Sequence, residues 1–95
     1  MKNGIIYLTY NSEPDIRANF NSLVSGVTYP TTLTVIDNAS SDNSAQLLSS
    51  NGYTVHVNDE NVGFTAGINQ GIGILRDAGV EDWIFIINPD VLCFP

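Results

Sequence analysis

The chain is predicted to be an α/β protein: three layers, with a mainly parallel sheet of about four strands in the order 3-2-1-4 and helices on both faces. Two observations lead there. Short apolar runs alternate with amphipathic stretches in the order β-α-β-α-β-α-β, and such alternation implies right-handed crossovers between parallel strands. The 95 residues also form one domain without internal repeats, low-complexity stretches or a linker, so residues 1–95 are treated as a unit.

Ile5-Ile6-Tyr7-Leu8 reads as a buried strand closed by Thr9-Tyr10-Asn11. Ser12-Glu13-Pro14-Asp15 then opens a helix, with Ser12 as N-cap, Pro14 in the first turn and Asp15 completing a capping-box pattern. Ile16, Phe20, Leu23, Val24 and Val27 supply its apolar stripe, and Gly26 and Pro30 punctuate its end. Leu33-Thr34-Val35-Ile36 is the second strand. It runs into a turn-forming cluster, Asp37 to Asn43, and a short helix through Ala45 and Leu48 that stops near Asn51-Gly52. Tyr53 to Val57 alternates apolar and polar residues and is the expected edge strand. Phe64, Ile68, Ile72 and Leu75 repeat at helical spacing up to Asp77, with Gly79 as a stop. Trp83-Ile84-Phe85-Ile86-Ile87 is the most apolar run, expected to be buried, and it breaks at Asn88-Pro89-Asp90.

Composition excludes several functions. A net charge of −7, with Lys2, Arg17 and Arg76 as the fixed cations, gives no basic footprint for nucleic acid. Phosphates of a small ligand would need helix N-termini, backbone N–H groups or a divalent cation instead. Cys93 alone cannot form an internal disulfide or a cysteine zinc site. No run reaches the roughly 18 apolar residues of a membrane span, and the N-terminal apolar run is too short for a secretory signal. The expected location is cytoplasmic.

Every predicted strand delivers carboxylates, amides or hydroxyls to one edge: Thr9-Tyr10-Asn11, Asp37-Asn38-Ala39-Ser40, Asn58-Asp59-Glu60-Asn61 and Asn88-Pro89-Asp90. In open α/β sheets ligands bind outside the carboxyl ends of the strands. Gly63, Gly67 and Gly71 recur every fourth residue and make a bare stripe, suited to close helix–sheet packing or ligand approach. Pro89 stiffens the last turn, so that Asn88 and Asp90 can offer oxygen atoms of the kind magnesium or manganese takes. His56 and Asp59-Glu60 are expected to be solvated, and Trp83 and Cys93 to serve packing.

Tyr7 to Ser12, Val35 to Asp42, Asn61 to Gly71 and Asn88 to Val91, in order, resemble the inverting family 2 glycosyltransferases, and among them the rhamnosyltransferase-like subgroup. The resemblance implies the Rossmann-like, nucleotide-binding half of a GT-A fold. It implies binding of a nucleotide diphosphate sugar, UDP- or dTDP-linked, for transfer with inversion to a hydroxyl of a saccharide or lipid-linked acceptor. By the same resemblance Thr9, Tyr10 and Asn11 line the base pocket, and Asp37 accepts a hydrogen bond from the pyrimidine. Asn38 sits beside the nucleoside, and Asn61, Gly63, Phe64 and Gly67 border the diphosphate and sugar. Asn88 and Asp90 match the Asp-x-Asp motif that holds a divalent cation, with Asn88 in place of the first aspartate.

The family's acceptor half and its general base lie beyond the matching motifs, so the expectation is a donor domain truncated before them, with no catalytic residue of its own to name. The apolar tail, Val91-Leu92-Cys93-Phe94-Pro95, suggests self-association. The alternative reading is a non-catalytic nucleotide-binding or interaction module built on the same fold.

Overall fold

The computed structural model describes residues 3–27 and 31–91. Strands β1 (Asn3–Thr9), β2 (Thr31–Asp37), β3 (Val55–Val57) and β4 (Trp83–Ile87) form one sheet in the order β3-β2-β1-β4, and every neighbouring pair is parallel. Helices α1 (Glu13–Gly26), α2 (Ser44–Ser50) and α3 (Phe64–Asp77) make the connections. Register decides where function can sit. Thr9 pairs with Asp37, Asp37 with Val57, and Tyr7 with Ile87, so the four carboxyl ends finish nearly level and their loops open on one edge.

Alternate residues of the central strands feed two cores, as the period of a strand requires. Ile5, Tyr7 and Val35 pack with Ile16, Phe20 and Leu23 of α1 and Leu48 of α2. Phe20 stands edge-on to Tyr7 and Tyr53, with ring centroids 5.2 and 5.0 Å away, an arrangement that aligns ring edges with ring faces. On the other face Ile6 and Ile36 meet Ile68 and Leu75 of α3, together with Val80. Burying one such side chain contributes about 1.5–3 kcal/mol.

Glycine lets α3 lie close to the sheet. A Cβ on Gly71 would stand 2.9 Å from three side-chain atoms of fully buried Ile6, and one on Gly67 would stand 2.9 Å from Leu8 Cδ1. Gly67, expected at the ligand, is therefore buried in helix–sheet packing. A Cβ on Gly73 would meet nothing within 4 Å. Both α2 and α3 end in Schellman turns. Gly52 N–H reaches Ser49 O and Tyr53 N–H reaches Leu48 O, and the same pair of bonds joins Gly79 to Arg76 and Val80 to Leu75.

Three expectations are corrected. The third strand begins at Val55 and not at Tyr53, because the Tyr53 N–H closes the α2 turn. Ser12 precedes α1 but makes no side-chain cap; its hydroxyl instead exchanges hydrogen bonds with the backbone of Tyr10. Nor is β4 buried: Trp83 is 61% and Phe85 54% exposed. It is an edge strand beside β1, and only Ile84 and Ile87 reach the cores, one on each face. The tail from Leu92 to Pro95 lies outside the described residues. Among the described residues no helix is long and apolar enough to cross a membrane.

The contrast between two glycines of one helix is testable by urea unfolding. Gly71→Ala forces atoms against Ile6 and should cost about 1–3 kcal/mol. Gly73→Ala, in open space within the same helix, should stabilise by about 0.5–1 kcal/mol. Equal shifts of the two midpoints would contradict the packing described.

Candidate functional site

The site begins at the junction of β1 and β2. Asp37, 1% exposed, receives the Thr9 hydroxyl on Oδ1 at 2.7 Å, the Ser40 hydroxyl on Oδ1 at 2.6 Å and the Ser40 N–H on Oδ2 at 2.9 Å. A buried carboxylate needs such donors, since an unpaired one would lose far more in hydration than packing returns. The backbone continues the tie: Asn38 N–H donates to Thr9 O at 2.9 Å and Asn58 N–H to Asp37 O at 2.8 Å. Three strand tips thus meet at one residue.

The loops after β1 and β2 are laced together. Asn11 Oδ1 accepts from the Ser41 N–H at 2.7 Å and from the Ser41 hydroxyl, while Asn11 N–H donates to Ser40 Oγ at 2.9 Å. Asn11 and Ala39 both lie in the left-handed region, with φ of 47° and 61°. Side chains disfavour that conformation, and it persists where neighbouring bonds dictate it. Helices α1 and α2 cap each other. Asp42 accepts from Glu13 N–H at 3.1 Å and from Ser44 N–H at 2.9 Å, and Glu13 Oε1 accepts from Asn43 N–H at 3.1 Å. The Ser44 hydroxyl also donates to Asp42, and Ser12 N–H donates to Ser44 Oγ. Burial pushes the Asp42 carboxyl up, but hydrogen bonds from Ser44 and from backbone N–H groups outweigh it and hold the group below its ordinary 3.8.

Across the cleft, Gly63 precedes α3 with φ of 87°, a conformation that favours glycine, and no side chain caps the helix. Its N–H is taken by Asn61 Oδ1 at 2.8 Å. The first-turn N–H groups of Phe64, Thr65 and Ala66 have no partner within the helix, as at any helix start. Phe64 is 55% exposed. At the tip of β4, Val91 N–H closes a turn onto Asn88 O, and Asn19 of α1 pins that turn through Nδ2 to Pro89 O at 3.0 Å. Asn88 and Asp90 are exposed and Pro89 is buried.

The sequence matches the family model described as Glycosyl transferase family 2 over residues 5–95. The chain belongs to glycosyl transferase family 2. In three dimensions it is similar to the crystal structure of S. aureus TarS 1-349, with a TM-score of 0.62 and 24% sequence identity over 97% of this chain. The chain spans 28% of the length of that structure, and the likeness concerns the fold. No curated protein matches it in sequence.

Within this family 2 domain the residues singled out from sequence divide into two groups. Thr9, Asp37, Asn38 and Gly67 lie below the surface; the polar side chains among them are bonded to other parts of the chain, and Gly67 packs on Leu8. Tyr10, Asn11, Asn61, Gly63, Phe64, Asn88 and Asp90 are exposed around the same edge. Among the described residues no three His, Cys, Asp or Glu side chains gather into a metal-binding group. For a hard cation, Asp90 is the charged oxygen donor on the β4 turn, with the Asn88 amide oxygen as a neutral companion. That donor set fits a magnesium or manganese ion that keeps phosphate oxygens and water for the rest of its shell. Asn19, Gln70 and Ser44 were not apparent from sequence as parts of the site, and Asn58 was apparent only as one residue of the polar edge. A polar residue on the inner side of α1 was the available hint for Asn19.

Asp42 supports a pH-dependent prediction. Its lowered folded value means that its contribution to stability is present above 3.8 and lost as pH falls through the folded value. Asp42→Ala should cost about 1–2 kcal/mol at pH 6, the scale of a lost cap, with the gap from wild type narrowing below about pH 4. Urea midpoints at pH 6 and pH 3 measure it. A gap unchanged by acid would remove the carboxylate from this role.

Proposed function

We propose that the domain binds the donor of a sugar transfer, a nucleotide diphosphate sugar with UDP or dTDP as its nucleotide, and presents it for inverting transfer to an acceptor hydroxyl. The observation that carries this reading is the convergence, on one edge, of the Tyr10 ring, the uncapped start of α3 and the Asn88-Pro89-Asp90 turn. Each suits a different part of one ligand. A half-exposed tyrosine ring offers a face on which a pyrimidine can stack. A helix start with free N–H groups favours phosphate. The Asp90 carboxylate and Asn88 oxygen suit a divalent cation between protein and diphosphate.

In such a transfer the bond from the anomeric carbon to the diphosphate oxygen breaks, and its electron pair stays on the diphosphate. The acceptor oxygen attacks from the opposite face and gives its proton to a general base, a role assigned to none of the residues described here. A bound cation would supply charge stabilisation to the departing diphosphate. The chain's own residues then have three tasks. Tyr10 holds the base, Phe64 to Ala66 bring backbone N–H groups to the phosphates, and Asp90 with Asn88 fixes the metal side. In this assignment Asp37 shapes the base pocket through Thr9 and Ser40, and Asn11 holds its rim through Ser41. In this reading the domain belongs with the rhamnosyltransferase-like members, which its sequence blocks resemble.

Calorimetric titration of the domain with UDP and with dTDP, with and without manganese, tests the reading. Binding should be tighter with manganese, and Asp90→Ala should remove that enhancement while leaving the metal-free affinity in place. Tyr10→Ala should weaken both by about tenfold, within the range of a lost base-stacking contact. If neither nucleotide binds under any of these conditions, the donor-site assignment fails.

A further inference from the structure

Asn38 spends its side chain on the loop between β3 and α3. Its Nδ2 donates to Gly63 O at 3.2 Å, and its Oδ1 accepts from Asn58 Nδ2 at 2.9 Å and from Val62 N–H at 3.4 Å. Asn58 in turn gives a second N–H to Gln70 Oε1 at 2.9 Å and receives Gln70 Nε2 on its Oδ1 at 3.0 Å. Three primary amides therefore run in a chain from the tip of β2, past the tip of β3, to the second turn of α3. Gly63 O, the group that Asn38 grips, is also the acceptor for Gly67 N–H at 3.2 Å, the first bond of α3.

We infer that Asn38, Asn58 and Gln70 form a latch that positions the start of α3, and that ligand affinity depends on Gln70 although Gln70 does not reach the ligand. The chemistry of the three residues supports this. A primary amide both donates and accepts, so Asn58 can satisfy both neighbours at once, which a carboxylate or a hydroxyl in its place could not do. The latch is also uncharged. A carboxylate at position 38 would face Gly63 O with an acceptor where a donor is needed, and would add negative charge beside a site for phosphate. In a chain of net charge −7 that arrangement positions the helix without repelling the ligand. Asn38 is thus a positioning residue in this assignment, not a contact to the nucleoside.

The inference rests on the proposed donor site for its ligand, but not for its geometry, and the experiment separates the two. Gln70→Ala, Asn38→Ala and the double variant are titrated with UDP and dTDP in manganese. Amide hydrogen exchange at Val62, Gly63 and Gly67 is followed in the same proteins without ligand. Gln70 is exposed, so its variant should unfold within about 0.5 kcal/mol of wild type, as surface substitutions do. Exchange at Val62, Gly63 and Gly67, whose N–H groups are hydrogen-bonded, should accelerate at least threefold in Gln70→Ala, and nucleotide affinity should fall by about three- to tenfold. The double variant should bind no more weakly than Asn38→Ala, because both changes break one device. Unchanged exchange in Gln70→Ala overturns the latch, whether or not nucleotide binds. Losses that multiply in the double variant also overturn it. Accelerated exchange in Gln70→Ala, with a wild type that binds neither nucleotide, would leave the latch standing and remove the donor-site reading.

Discussion

A carboxylate that lies below the surface holds the cleft together. Asp37 ends β2, takes a hydroxyl from β1 and two donors from its own turn, and passes its carbonyl to the first residue after β3. Removing such a buried hub would leave several donors without partners, and each lost partner carries its own desolvation cost. The left-handed turns at Asn11 and Ala39 sit within the same lacing, which matters most at Ala39, since asparagine adopts that conformation more readily than alanine. Loop geometry here is a consequence of side-chain bonds that reach across some 28 residues of sequence, as from Thr9 to Asp37.

This produces a division of labour at the strand tips. Some polar groups are buried and build the frame, and others stay exposed along the same edge. Thr9, Asp37 and Asn38 belong to the first set, while Tyr10, Asn61, Asn88 and Asp90 belong to the second. The motifs that identify the family mix the two, so a match to a motif does not say which residue touches substrate. Asp42 illustrates the distinction. It lies in one of those blocks, yet its oxygens serve the N-termini of α1 and α2.

The alternation of elements and the common polar edge were legible because hydrophobic period and turn chemistry are local signals. The strand order was legible too, and it already implied what the apolar run of β4 obscured. An unbroken run from Trp83 to Ile87 reads as a strand covered on both faces, but strand order 3-2-1-4 puts it at an edge, and α1 to α3 cover the centre of the sheet. Ser12 misled for a related reason. Its position is right for a cap, but Asp42 reaches the Glu13 N–H from another loop, and a bond across 29 residues leaves no periodic trace. The same holds for Asn19, whose partner is Pro89, and for Asn58 and Gln70. Their side chains are ordinary for a helix surface or a turn until the fold sets them face to face.

Charge gives these neutral contacts their weight. Among the described residues the fixed cations are Arg17 and Arg76. Arg17 is engaged by Glu13 at 3.0 Å, and Arg76 lies in the last turn of α3, at the far end from Gly63. In the proposed donor site a phosphate would therefore be left with backbone N–H groups, amides and a cation brought in with it. Interactions of a dipole fall away faster with misorientation than those of a full charge, and they act over the first turn of a helix only. Recognition built on them is governed by pose more than by ionic strength, since little of it is long-range attraction between charges that salt could screen. A site of that kind requires its helix start to be held firmly, and at Gly63 the holding is done by uncharged side chains.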